Sequence, residues 1–279
     1  MPELPEVQAH AERLTARYAG TVLSAFRPLT FTALKTATPA ADLALGHPLV
    51  SVGRRGKYLL ADFGTLTFIV HLMQGGRLRE DPKPSAKPRN GQARWSFEDG
   101  RGWLLTEAGT ERKAGVWCTL TEGRLDRPPV DNLGPDALDV TPAELSVRFA
   151  AHNMRLHGFL RDQGCIAGLG RLLANEVCHT AQLSPFAMTA KLDSAAAEAV
   201  VRAIHQCCDE GIAYERTRDD MSSSADRPAA VHNRAGEPCP RCGDVIRVVA
   251  YSSYKVNYCP TCQTAGRVLA DNTTSRFLK

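Results

Sequence analysis

The chain has 279 residues, 43% hydrophobic and 23% charged, with a net charge of +4. This composition excludes an intrinsically disordered chain, and no apolar run reaches the length of a membrane-spanning helix. The length suits two domains with a small appendage, and the mild positive charge fits a polyanionic partner or an ordinary basic enzyme.

The chain opens Met1-Pro2-Glu3-Leu4-Pro5-Glu6. No basic region followed by an apolar stretch is present, so a cytoplasmic protein is expected. Pro2 is small enough for Met1 to be trimmed during synthesis, which leaves a free secondary amine beside the Glu3 carboxylate. An α-amino group titrates near roughly 8, so a useful fraction is neutral. Such an amine attacks a sugar aldehyde carbon to give an iminium, with Glu3 placed to move protons around the adduct. The competing reading is a frayed terminus. Val7, His10, Ala11, Leu14 and Tyr18 recur at helical spacing, which predicts a helix over 7–17 ended by Gly20.

From Val22 to Arg127 the pattern changes to short strands, among them 58–63, 66–72, 93–97, 102–105 and 116–121. Gly and Pro punctuate them, which predicts a β-sandwich or barrel. Asp81–Gly91 reads as an exposed loop. Lys57 follows Arg54-Arg55-Gly56 just before a strand, where three cations either bind phosphate or form a solvated strand end.

After Pro128-Pro129 the pattern is helical: Thr141-Pro142 starts one helix, and others are expected over 156–161, 172–180 and 194–210. Gly168 and Gly170 fit a tight turn entering a helix, whose first amides either face a phosphate or simply pack closely. Residues 221–233, rich in Ser, Asp and Pro, read as a linking loop.

Of nine cysteines, Cys118, Cys165, Cys178, Cys207 and Cys208 lie in apolar contexts and read as core thiols. Cys239-Pro240-Arg241-Cys242 and Cys259-Pro260-Thr261-Cys262 form a C-x2-C…C-x2-C pattern with a β-hairpin between, over 245–250 and 254–258. Four thiolates at this spacing make a closed structural Zn2+ site. A redox dithiol pair lacks its usual βαβ setting here. From Glu237 to Lys279, six basic residues (Arg241, Arg247, Lys255, Arg267, Arg276, Lys279) face three acids (Glu237, Asp244, Asp271). A basic zinc hairpin reads as a DNA-backbone contact or as a solvated face.

Taken together, Pro2–Val7, Arg54–Leu60, His71-Leu72, Leu133-Gly134-Pro135, Asp162-Gln163, Ala167–Gly170, Asn175-Glu176, Gly236–Cys239 and Tyr258–Gln263 resemble the formamidopyrimidine-DNA glycosylase/endonuclease VIII family over nearly the whole chain. The resemblance implies an α+β multidomain fold. Its parts are an N-terminal helix with a β-sandwich over 1–130, a helix-two-turn-helix domain over 131–225 and a zinc hairpin over 226–279. It implies a base-excision enzyme that removes oxidised bases from damaged double-stranded DNA and nicks the abasic strand. Such an enzyme extrudes the nucleotide and inserts a wedge into the stack. Pro2 would be the Schiff-base nucleophile, Glu3 the proton carrier, Glu6 its support and Lys57 a phosphate ligand. A monomer is expected.

Several positions depart from the family pattern. Arg171 stands where a phosphate-binding Asn is usual. Tyr254, with Lys255 beside it, replaces the finger arginine, which shifts backbone gripping to Lys255 or Arg247. Gln74 replaces a void-filling Met, although Met73 is adjacent. The wedge sequence reads Arg112-Lys113-Ala114-Gly115, without an aromatic ring. Glu176 is carried with Asn175 among the DNA-side residues. These departures spare the chemical centre and point to a lesion preference unlike that of the 8-oxoguanine enzyme. A non-catalytic damage-binding protein and a glycosylase for bulky or alkylated adducts are the alternatives.

Overall fold

The computed structural model of the chain describes residues 1–109, 112–221 and 223–269, without the side chain of Ala225. Asp271, Arg276 and Lys279 of the basic tail, the end of the 226–279 segment and Ser222 of the linking loop lie outside the described residues. The chain forms two compact units, one of residues 1–132 with 214–223 and the other of 133–213 with the remainder.

The first unit begins with α1 (Leu4–Tyr18), followed by β1 (Leu23–Pro28), β2 (Ser51–Arg55), β3 (Tyr58–Asp62), β4 (Leu66–His71), β5 (Gly76–Glu80), β6 (Gly91–Phe97), β7 (Gly102–Glu107) and β8 (Gly115–Leu120). The strands form two four-stranded antiparallel sheets, β1-β6-β7-β5 and β2-β3-β4-β8. Between them lies an aromatic core. Tyr18 and Trp103 meet edge-on at 5.1 Å, and Phe26 lies 4.9 Å from Trp95. Burying each such ring stabilises the unit by roughly 1.5–3 kcal/mol.

The apolar stripe of α1 is buried as expected, but the helix starts at Leu4 rather than Val7. A Glu version of the capping box explains the early start. The Glu3 side chain accepts the Glu6 N–H, while the Glu3 N–H donates to Glu6 Oε2 at 2.6 Å. Pro5, which has no N–H to leave unpaired, sits in the first turn. The helix is then fastened to an edge strand of each sheet. Thr15 Oγ1 both donates to Val52 O (3.1 Å) and accepts the Val52 N–H (2.8 Å) on β2, and His10 Nε2–H donates to Leu78 O (2.8 Å) on β5. These bonds occupy edge groups that otherwise pair with another chain, and they fix where the N-terminus points.

The second unit contains α2 (Pro142–Ala151), α3 (Leu156–Arg161), α4 (Arg171–Thr180), α5 (Ser194–Arg216), β9 (Arg247–Ala250), β10 (Lys255–Tyr258) and α6 (Pro260–Thr264), with the end of α5 reaching into the first unit's share of the chain. Thr141 caps α2 by accepting the Glu144 N–H at 3.2 Å. α5 passes the expected stop at Glu210 because Gly211 is interior to it. The buried stripe Ile204, Cys208, Ile212, Glu215 runs on through the glycine at helical spacing. No described helix is long and apolar enough to cross a membrane.

Candidate functional site

The capping box at the start of α1 builds the first centre. Pro2, Glu3 and Glu6 are buried there, whereas Met1 is 48% exposed. With Met1 in place, Pro2 nitrogen is a peptide nitrogen and the free amine belongs to Met1. That amine is held below its ordinary value of 8.0, first by burial and then by the cations Arg77 and Lys57, against the opposing pull of Glu3 and Glu6. The positive end of the helix dipole acts in the same direction. The structure thus gathers Glu3, Glu6 and Lys57 around the N-terminus, and adds Arg77, which sequence reasoning missed. Its signal was the alternation in β5, where Leu78 faces the core and Arg77 and Arg79 do not.

Lys57 is buried in the two-residue turn between β2 and β3, so Arg54 and Arg55 end a strand rather than precede one. Gly56 takes φ +57°, which permits the tight reversal. Arg54 locks the turn, donating from Nη1 to Gly56 O (2.9 Å) and from Nε to Gln8 Oε1 of α1 (3.0 Å). His71 lies tilted against Tyr58 with ring centres 4.5 Å apart, and its pKa is pushed down to about 4 by burial and then by the Lys57 charge.

After β4 the chain turns sharply. His71 Nδ1 accepts the Met73 N–H at 3.2 Å, Met73 takes φ +52°, and Gln74 is exposed while Met73 is half-buried. Gly76 closes the turn, and a Cβ there would lie 2.1 Å from Leu72 O. Arg112 and Lys113 are exposed, and Thr110 and Glu111 lie outside the described residues. Ala114 corrects the sequence reading. It is a core residue with no exposed surface, and its N–H donates to buried Glu107 Oε2 at 2.6 Å, so it does not occupy a wedge position.

In the second unit, Gln163 shapes the turn before α4. Its Nε2 donates to Leu169 O (2.8 Å), and its Oε1 accepts the Gly168 N–H (3.0 Å). Arg171 is exposed in the first turn of α4. The buried pair that follows is internal. Asn175 Oδ1 accepts the Asn257 N–H (3.1 Å) and its Nδ2 donates to His232 Nδ1 (2.7 Å). Glu176, expected on the DNA side, receives the N–H groups of Ala230 (2.6 Å), Val231 (3.0 Å) and His232 (2.9 Å). Its carboxylate therefore orders the 230–232 segment.

The four cysteines form the second centre. Their sulfurs all lie within 4.8 Å of one another, with Cys239–Cys262 at 3.9 Å and Cys242–Cys259 at 3.4 Å. Sulfurs bound tetrahedrally to one zinc at about 2.3 Å stand roughly 3.8 Å apart, so the set fits one structural zinc ion. His179 of α4 donates from Nε2 to Cys239 Sγ at 3.3 Å, and Arg241 Nη1 donates to His179 O at 2.9 Å. Such outer bonds orient the thiolates. Lys255 is exposed on β10, whereas Tyr254 is half-buried and stacked at 4.6 Å on Tyr251.

Three family models match the chain in order. They are the formamidopyrimidine-DNA glycosylase N-terminal domain over residues 1–115, the H2TH domain of the same glycosylase over 133–223, and the zinc finger found in FPG and IleRS over 236–265. A formamidopyrimidine-DNA glycosylase of Symbiobacterium thermophilum is 32% identical over 279 residues, covering 94% of this chain and 89% of the relative. One of Thiobacillus denitrificans is 32% identical over 275 residues, covering 94% and 100%. Among solved structures, a Lactococcus lactis Fpg in complex with abasic-site DNA superposes with a TM-score of 0.82 at 21% identity, covering 94% of this chain and 99% of that one. The last likeness concerns the fold.

Proposed function

The chain belongs to the formamidopyrimidine-DNA glycosylase family, and on that footing we propose that it is a base-excision DNA glycosylase with abasic-site lyase activity, working through a Schiff base at Pro2. It acts as a cytoplasmic monomer on damaged double-stranded DNA. Residues 1–130 carry the chemistry, and 131–225 and 226–279 grip the DNA. The observation that carries this reading is the gathering of Glu3, Glu6, Arg77 and Lys57 around the N-terminus.

With Met1 removed, the neutral Pro2 nitrogen attacks C1′ of the extruded nucleotide. The glycosidic bond breaks, and the base leaves with its electron pair and takes up a proton. Glu3 protonates the ring oxygen, the sugar opens, and the nitrogen lone pair completes the iminium. The iminium acidifies C2′, whose proton passes to Glu3 while the 3′ phosphate departs. A second elimination expels the 5′ phosphate, and hydrolysis frees the amine. Glu6 acts through Glu3, holding its N–H. Lys57 and Arg77 supply positive charge to the flanking phosphates. Zinc keeps the hairpin folded. Neither Gln74 nor the segment Arg112-Lys113-Ala114-Gly115 offers an aromatic face, so lesion choice departs from that of the 8-oxoguanine enzyme. Efficient excision of 8-oxoguanine opposite cytosine, at the rate seen with abasic sites, overturns that last point.

The test is borohydride trapping on a duplex with one abasic site, using protein whose Pro2 N-terminus has been verified by mass spectrometry. A covalent band is expected; it weakens in Pro2→Gly and is lost when the Pro2 amine is blocked, while DNA binding survives. The trapping rate rises with pH as the amine deprotonates. DNA binding without any covalent band favours the damage-binding alternative instead.

A further inference from the structure

A chain of side-chain hydrogen bonds runs along α1 from the end of α5 to the turn that carries Lys57, and the reaction above does not use its far end. Arg216, the last residue of α5, belongs to the first unit together with α1. Its guanidinium grips Glu12 through two bonds, Nε to Oε2 and Nη2 to Oε1, both 2.8 Å. One turn back on α1, Gln8 Nε2 donates to Glu12 Oε1 at 2.9 Å. Gln8 Oε1 in turn accepts from Arg54 Nε at 3.0 Å, and Arg54 Nη1 donates to Gly56 O at 2.9 Å. That oxygen belongs to the peptide bond leading into Lys57. The far end of the chain is itself fastened down. Arg13 Nη1 donates to Glu215 O (2.8 Å) and Arg218 O (3.2 Å), Arg17 Nη2 donates to Asp219 O (3.3 Å), and Met221 is buried in the core of the unit.

We propose that Arg216 is a positioning residue for Lys57: through Glu12, Gln8 and Arg54 it holds the β2–β3 turn where the lysine meets a backbone phosphate. The proposal rests on the reading of Lys57 as a phosphate ligand. Three observations carry it. The polarity of the chain agrees at every link. The Gln8 amide accepts from a guanidinium at one atom and donates to a carboxylate at the other, which neither a carboxylate nor an ammonium at that position can do. A Glu at position 8 would also set a like charge one turn from Glu12. Second, the two-pronged grip of Arg216 fixes the direction of the Glu12 carboxylate as well as its distance. That bond also holds the Glu12 pKa below its ordinary value, against the opposing effect of burial. Third, the Arg216 and Glu12 side chains are 59% and 36% exposed. A pair so open to water contributes little to folding, so orientation is what it supplies.

The test has two arms, both on the full chain. The first is amide hydrogen exchange of the free protein, read by mass spectrometry of proteolytic fragments. Arg216→Gln should raise exchange at residues 55–58 about threefold, and Arg216→Lys, which keeps the charge but not the two-pronged grip, should raise it less. Gln8→Met cuts the chain at its middle and should raise exchange at the same residues. Adding Arg216→Gln to it should then change nothing further there. Exchange along β8 should stay as in the wild type, which shows that the variants are folded. The second arm is binding of a fluorescent duplex carrying a tetrahydrofuran abasic analogue. Arg216→Gln should weaken binding about threefold in the wild-type background and leave it unchanged in Lys57→Ala. Unchanged exchange at 55–58 in Arg216→Gln overturns the proposal. So does an equal loss of affinity in the two backgrounds, or no loss from Arg216→Gln where Lys57→Ala binds weakly. A Lys57→Ala protein that binds as tightly as the wild type removes the phosphate reading instead, and the exchange arm then still reports whether Arg216 holds the turn.

Discussion

Acid should loosen α1 through His10, and the size of the effect follows from its surroundings. His10 is buried, donates from Nε2 to Leu78 O at 2.8 Å, and has no partner at Nδ1. Burial first, and the Arg13 charge second, lower its pKa from 6.5 to about 4. Because the folded value lies below the unfolded one, the unfolded chain binds more protons between these limits. Stability is therefore fully present above pH 6.5 and is lost as pH falls towards 4. The interval of about 2.5 units corresponds to roughly 3 kcal/mol. Trp95, Trp103 and Trp117 all lie in the first unit, so tryptophan fluorescence follows that unit alone. Urea midpoints should be measured from pH 7 to 4 for the wild type and for His10→Gln, whose amide still donates to Leu78 O. The variant should be weaker at pH 7 by about 1 kcal/mol but lose about 3 kcal/mol less on acidification. Parallel pH curves for the two proteins refute the argument.

Glu6→Ala leaves the buried Glu3 N–H without its acceptor, at about 1–3 kcal/mol, and should slow borohydride trapping more than it weakens duplex binding. Glu176→Gln presents an amide where three N–H groups now find a carboxylate. Hydrogen exchange at Ala230–His232 should rise, by a free energy of about 1–3 kcal/mol, while zinc content stays full. His179→Phe removes the bond to Cys239 Sγ, and a colorimetric chelator should extract zinc from it at least tenfold faster. Complete zinc removal should abolish the β9–β10 far-UV signal without moving the tryptophan-detected transition of the first unit.

The parts of this protein that were legible in sequence are those whose information is local. The four cysteines declare their metal because ligand type and spacing are both contained in two short turns. The stripe of α1 declares its buried face for the same reason. Its true start did not, because Glu3 and Glu6 form a cap that is usually signalled by Ser, Thr, Asp or Asn. The strands of the first unit were visible as short runs punctuated by Gly and Pro, but the order β1-β6-β7-β5 depends on pairings between distant segments.

Non-local contact also explains where side-chain roles went astray. Glu176 looked like a DNA-side residue because it follows Asn175 in a motif, yet its partners are backbone groups at 230–232, across a loop with no pattern of its own. Ala114 looked like a missing wedge because it stands where the resemblance places a wedge aromatic. In this chain a methyl group at that position packs inward, and Glu107 ties its N–H down. Tyr254 looked like the loss of a cation, and Arg161 at the end of α3 was not singled out. Placed 4.2 Å apart, they make a single feature. A substitution read alone as a lost cation becomes, once the fold is closed, a platform that positions a cation from another element. Departures from a motif are therefore best judged after asking which distant side chain the new residue touches.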